Sequence, residues 1–463
     1  MTSSIEPEAI SAPGKVFLAG GYLVLDRKYT ALVFGLDARI HVCIEPIQTK
    51  SGVTLHEIIV RSPQFNEAVW EYGYRLTEGN GGVSVTQLRA SHDSSLNRNP
   101  FIETTLAYAL TYISTHLAQP QPQIHPSSIS ILASSSYYSN PGTAPTPTSQ
   151  FLNFDVKLSE AHKTGLGSSA ALVTSFTAAL LSHYLPRDVF DIEKDASLAV
   201  LHNLAQTAHC AAQGKVGSGF DIASAVYGSC LYRRFSPSLL EKHGEPGSID
   251  FSSNLRALVD GEVQWDTEIR KAAIKMPPGL RLLMCDVDCG SETPGMVTKV
   301  LAWRKQKPEE ADPIWDELQA GNEELAKELT KLAESGNQGA QDGHGRIREL
   351  FVKNRKLIRQ MSKASGVPIE PREQTLLLDA CSKVAGVIGG VVPGAGGYDA
   401  VVLLIEDKPD VIADLKELLK DWKVEQDSED AVKIGNVGML GVREDMVGVR
   451  REDPVKYRDW VHK

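Results

Sequence analysis

Two stretches in the middle of the chain, residues 168–184 and 195–213, carry helical patterns dense in small and apolar residues. Helices of that composition are buried, so the rest of the chain has to cover them. Sheet-forming patterns stand ready at the N-terminus. Residues 12–25 hold apolar Val16, Leu18, Leu23 and Leu25 around a Gly20-Gly21 break, and residues 38–45 repeat the β character. Residues 101–117 place Ile102, Leu106, Ala109, Leu110 and Ile113 at helical spacing behind Asn99-Pro100, a further core-facing helix.

A chain of 463 residues exceeds what one core serves, since single cores stop growing near ~250–300 residues. Two domains are expected, 1–230 and 231–463, because the pattern changes after Arg233-Arg234. The first carries an insertion at 134–150, rich in Ser, Tyr, Pro and Thr and expected to be exposed, followed by strand character at 151–158. The second reads as a buried strand at 280–286, a basic helix at 296–303 and a charged linker at 305–313. Amphipathic helices at 314–334 and 346–364 follow, split by a Gly-rich loop at 335–345. A helix at 375–384, a glycine loop at 386–397 and a strand at 400–405 complete it.

The charge balance excludes some partners. Lys plus Arg total 48 against 58 Asp plus Glu, a net −10, which argues against nucleic acid or an anionic membrane surface. Any anionic ligand must then be held by local positive groups. The six cysteines are scattered, with only Cys285 and Cys289 close together, as expected of reduced thiols in a cytoplasmic protein. The first residues carry two acids and no apolar run, unlike a secretory or transit leader.

The chemistry is concentrated in glycine loops. Lys163-Thr164-Gly165-Leu166-Gly167-Ser168-Ser169-Ala170-Ala171 puts a Gly/Ser loop directly ahead of an apolar helix. Free backbone N–H groups, two hydroxyls and the positive helix end then converge on one point, which suits a phosphate chain. A capped tight turn is the alternative. Gly-Lys-Ser/Thr, as a Walker loop requires, occurs nowhere, and neither do His-Arg-Asp and Asp-Phe-Gly. Residues 165–170 satisfy G-x-G-x-x-A, but the polar run 159–164 ahead of them is a poor Rossmann strand.

Lys15 lies in Pro13-Gly14-Lys15 on an apolar strand, either as a snorkelling lysine or as an ammonium presented in a cleft. Asp221 closes Gly217-Ser218-Gly219-Phe220-Asp221, either as a turn residue or as a site carboxylate. Cys289-Gly290-Ser291-Glu292-Thr293-Pro294-Gly295 follows the buried strand and leads into a helix bearing Lys299 and Arg304, a candidate anion site.

The order of these motifs resembles the GHMP small-molecule kinases over nearly the whole chain. Gly20-Gly21-Tyr22-Leu23, Lys163-Thr164 and Gly290-Ser291-Glu292-Thr293-Pro294 are most similar to the fungal members that act on 5-phosphomevalonate. The resemblance implies an α+β, two-domain fold with the active site in the inter-domain cleft, and ATP and Mg²⁺ as cofactors. Residues Gly165, Leu166, Gly167, Ser168, Ser169 and Ala170 would hold the ATP phosphates and Ser168 would reach Mg²⁺. Lys15 and Asp221 would face the transferring phosphoryl, Ser218, Ser291, Thr293, Lys299 and Arg304 the acceptor, and residues 394–397 would pack beside the phosphate loop. Mevalonate kinases carry a metal-binding glutamate eleven residues before the aspartate, and here that position is Cys210. An alcohol-phosphorylating relative such as mevalonate kinase, or a silent sensor of the same fold, remains open on the sequence.

Overall fold

The computed structural model describes residues 6–50, 55–88, 98–117, 124–139, 149–287, 295–335, 340–420, 422 and 435–461. In chain order the first half holds β1 (Glu8–Ala19), β2 (Ala31–Pro46), β3 (Glu57–Arg61), β4 (Val69–Leu76), β5 (Val83–Gln87), α1 (Pro100–Ser114) and β6 (Ser127–Ala133). After these come β7 (Tyr138–Ser139), β8 (His162–Lys163), α2 (Ser168–Tyr184), α3 (Asp195–Gln213), α4 (Phe220–Tyr227) and β9 (Cys230–Arg233). The remainder holds α5 (Phe251–Val259), β10 (Glu268–Arg270), β11 (Leu280–Val287), α6 (Met296–Gln306), α7 (Pro308–Ser335), α8 (Ala340–Ser365) and α9 (Arg372–Cys381). It ends with β12 (Val387–Val391), β13 (Ala400–Glu406), α10 (Pro409–Lys420), β14 (Val437–Leu440), β15 (Glu444–Asp445) and β16 (Arg450–Glu452).

The larger sheet runs β10-β9-β2-β6-β3-β4-β5, with β1 laid antiparallel along β2. The two apolar central helices expected from composition are α2 and α3, with the expected limits, and they are buried beneath the sheet with α1. The smaller sheet runs β12-β13-β11-β14, all antiparallel. Its alternate residues serve two cores. Leu283, Cys285, Val401, Leu403 and Ile405 pack with α9 and α10, while Leu282, Met284, Val402 and Leu404 join the main core with α7 and α8.

The C-terminus returns to the first sheet. β15 pairs with β2 and β16 with β1. Buried Arg39 fastens this return by donating to Asp445 Oδ2 at 3.0 Å, Ser11 Oγ at 2.8 Å and the Gly448 carbonyl. Strand β10, also beyond residue 230, extends the same sheet through β9.

Several local expectations need correction. Residues 20–25 are not strand: β1 ends at Ala19, and Leu23–Leu25 form a 3-10 turn. The insertion is not exposed at its start, where Ser135–Tyr137 form a 3-10 turn with Tyr137 buried. Residues 140–148 lie outside the described residues. The expected strand at 151–158 is irregular, with a single bridge from Lys157 to Asn66. The charged linker 305–313 is helical apart from Lys307, which separates α6 from α7, and α7 opens with Pro308 at its first position, where no N–H is needed. Helix α8 begins at Ala340, inside the expected loop.

The glycine run 386–397 is partly the strand β12. A Cβ on Gly389 would strike the Phe351 ring of α8, and one on Gly390 would meet Leu403 Cδ2 at 2.5 Å and Leu378 Cδ2 at 2.8 Å. Glycine is used there for close packing rather than for a turn.

Candidate active site

The site starts where β1 breaks its register. The ladder with β2 shifts between Pro13 and Lys15, and a Cβ on Gly14 would sit 2.8 Å from both the Leu166 carbonyl and the Tyr137 hydroxyl. Only glycine lets the loop at 164–167 come this close to the strand. Lys15 N–H donates to the Leu166 carbonyl at 2.9 Å, and the Lys15 ammonium donates to the Gly165 carbonyl at 3.3 Å. Burial holds the Lys15 amine below its ordinary pKa, and the Asp221 carboxylate opposes that shift.

The loop itself is tightly fixed. Thr164 N–H donates to the Tyr137 carbonyl at 3.1 Å and its hydroxyl to Ser136 at 2.7 Å, while Leu166 is buried in the core. Gly165 and Gly167 have φ of +71° and +81°, in the left-handed region. Gly167 precedes α2 without a side-chain cap. The N–H groups of Ser168, Ser169 and Ala170 therefore open the helix with no intrahelical acceptor, at its positive end. A Cβ on Gly167 would lie 2.9 Å from Lys15 Cγ and Cε.

Asp221 stands in the first turn of α4, two residues after Gly219 at φ +83°. Its Oδ1 accepts from Ile222 N–H at 3.0 Å. The preceding residue, Phe220, lies under the Lys15 ammonium at 5.7 Å and against the Phe17 ring at 4.0 Å. Residues 215–219 are held by side chains that follow them in the chain. Tyr232 hydroxyl donates to the Ser218 carbonyl at 2.8 Å, and Arg234 donates to the carbonyls of Gly217 at 2.8 Å, Val216 at 3.2 Å and Leu25 at 2.9 Å. His209 belongs to none of the sequence motifs. Its ring is buried on α3, with Nε2 3.1 Å from Ser169 Oγ and Nδ1 3.9 Å from Asp221 Oδ2.

The chain that carries this loop is similar to known proteins. Residues 148–229, which contain the loop and Asp221, match the family model described as GHMP kinases N terminal domain. The phosphomevalonate kinase of Gibberella zeae is 53% identical over 98% of this chain and 98% of that protein. The chain belongs to the phosphomevalonate kinase family. That of Aspergillus fumigatus is 48% identical, again over 98% of each. A Streptococcus pneumoniae phosphomevalonate kinase, solved with phosphomevalonate and AMPPNP, shares the fold at TM-score 0.56. Its identity is 19%, over 88% of this chain and 95% of that one.

For a member of this family the expected acceptor residues fall in different places. Ser291 and Thr293 lie outside the described residues. Lys299 is exposed in the first part of α6. Arg304 is engaged elsewhere in the fold, donating to Asp26 at 2.7 Å and Asp312 at 2.9 Å with its guanidinium 3.9 Å from the Trp315 ring centroid. Its charge is thus met by two carboxylates. Residues 394–397 pack on the loop after β1: Tyr22 hydroxyl donates to the Ala395 carbonyl at 2.7 Å. A Cβ on Gly21 would lie 2.5 Å from the Gly394 carbonyl oxygen.

The donor set suits a hard cation only in part. Cys210, at the glutamate position of mevalonate kinases, is a buried thiol whose pKa burial raises, and it is a soft donor. No cluster of three or more His, Cys, Asp or Glu side chains able to hold a metal occurs among the described residues. Magnesium commonly takes one or two protein oxygens and completes its shell with phosphates and water. Ser168 and Asp221 each carry an oxygen of that kind.

Proposed function

We infer that the enzyme transfers the γ-phosphoryl of ATP to the phosphate of 5-phosphomevalonate, giving 5-diphosphomevalonate and ADP, in the mevalonate route to isoprenoids and sterols. The observation carrying this reading is the Lys15 ammonium held on the Gly165 carbonyl, beside the open N-terminus of α2. A phosphate oxygen of the acceptor attacks the γ-phosphorus, and the bond to the β–γ bridging oxygen breaks. The N–H groups of residues 168–170 bind and orient the nucleotide phosphates. Lys15 supports charge on the transferring group. Ser168 and Asp221 would hold Mg²⁺ together with phosphate oxygens, and the ion would neutralise the triphosphate charge.

A phosphomonoester has a second pKa near ~6 and is largely a dianion at neutral pH, so little help from a general base is needed. Asp221 then orients Lys15 or the metal. Ser218 and Lys299 are offered to the acceptor, as are Ser291 and Thr293, which lie outside the described residues. Arg304, already paired, is offered as a brace for that side. The five described cysteines are all free and buried, which suits the reducing cytoplasm where we place the enzyme.

The pair Lys15→Met and Asp221→Asn separates these roles. Lys15→Met should lower kcat on the order of 10²–10³-fold, as loss of a preorganised electrostatic donor does. The fall of kcat below pH ~6 should belong to the acceptor phosphate and persist in Asp221→Asn. Loss of that acid limb in Asp221→Asn, with Lys15→Met nearly fully active, would make Asp221 the base and overturn the assignment.

A further inference from the structure

His209 is nearly closed to solvent, yet both ring nitrogens face groups of the reaction site. Nε2 lies 3.1 Å from Ser169 Oγ in the phosphate loop, and Nδ1 lies 3.9 Å from Asp221 Oδ2 on the far side of the ring. Phe101 of α1 stacks on the imidazole at 5.7 Å, so the ring is held in one plane. One turn further along α3, the Gln213 amide nitrogen is 3.2 Å from Nε2. With the Gln213 amide nitrogen facing the ring, Nε2 is assigned as the acceptor and the ring proton to Nδ1, towards the carboxylate.

We propose that His209 is a positioning residue that couples the phosphate loop to Asp221, fixing the Ser169 hydroxyl through Nε2 and steering the Asp221 carboxylate through Nδ1–H. The inference rests on the phosphoryl-transfer reading of the same site. Its physical content is directional. With Nε2 accepting, the Ser169 proton points at the ring, which orients the hydroxyl oxygen. Asp221 has its Oδ1 tied to Ile222 N–H, which leaves Oδ2 for His209 to steer. A ring that fixes both ends sets the spacing between the ATP phosphates and the Lys15–Asp221 pair, where small displacements are costly.

Selective ¹⁵N labelling of histidine in the intact wild-type enzyme tests the tautomer directly, with His209→Gln supplying the assignment. A protonated Nδ1 and bare Nε2 are expected; a protonated Nε2 would overturn the proposal. In kinetics, His209→Phe keeps the ring volume and removes both contacts. Its kcat should fall on the order of 10–10²-fold, with KM for phosphomevalonate within about twofold of wild type, since no direct acceptor contact is removed. His209→Gln, which retains a polar group near Nε2, should recover part of the loss. Ser169→Ala combined with His209→Phe should cost less than the product of the single losses, as expected for residues acting as a unit. Strict additivity, or an unchanged kcat in His209→Phe, would reduce His209 to packing. The wild-type assay run alongside keeps the two readings apart. If wild type fails to phosphorylate phosphomevalonate, the reaction reading fails, while the tautomer and calorimetric ATP affinity of the variants still test His209.

Discussion

At the residue scale, Gly167 shows how closely binding and chemistry share space. A side chain there meets Lys15 Cγ and Cε at 2.9 Å and has to adopt φ +81°. Gly167→Ala should therefore lower ATP affinity and kcat together, with a stability loss of only about 1–2 kcal/mol from the left-handed backbone. Titration calorimetry and thermal unfolding check the two parts, and unchanged ATP affinity would separate the loop from the nucleotide. The loop could be picked out in the sequence because a Gly/Ser turn before an apolar run is a local pattern, while Lys15 and Asp221 take their roles from the family resemblance. His209, Tyr232 and Arg234 could not, because each acts on a partner distant in sequence and, for Tyr232 and Arg234, through backbone carbonyls that carry no signature.

At the element scale, the contrast between α2 and β12 makes the same point. Helix α2 reads correctly to its limits, since its burial, its period and the loop before it all agree. Strand β12 reads as a loop because its glycines answer to Phe351 on α8 and to Leu378 on α9. That reason is tertiary. Gly389→Ala should overpack this contact and destabilise by about 1–3 kcal/mol. Phe351→Leu in the same chain should restore part of it. Urea unfolding measures both, and an additive double variant would show that the two positions do not compete for one space.

At the scale of the whole molecule, the C-terminal return was invisible to periodicity, since β15 and β16 are two and three residues long. The buried histidines give the whole fold a pH dependence. Burial lowers His41 to about 3, and His183 and His202 to about 4, from 6.5. Between pH 6.5 and about 4 the unfolded chain binds protons that the folded one excludes. Stability present above pH 6.5 is therefore lost as pH falls through this window, by up to about 1.4 kcal/mol per pH unit for each histidine. Asp37 and Glu444, whose carboxyls burial raises, act in the opposite sense. Urea midpoints should fall clearly from pH 7 to pH 5, and a flat profile would contradict the neutral buried imidazoles.

The identity of the acceptor defines the reaction, and phosphorus NMR of the product mixture reads it directly. With ATP and Mg²⁺ present, 5-phosphomevalonate and mevalonate are offered in parallel to the same enzyme. The account predicts a new diphosphate signal from 5-phosphomevalonate, with no phosphomonoester formed from mevalonate. A phosphomonoester from mevalonate and no diphosphate from 5-phosphomevalonate would contradict it.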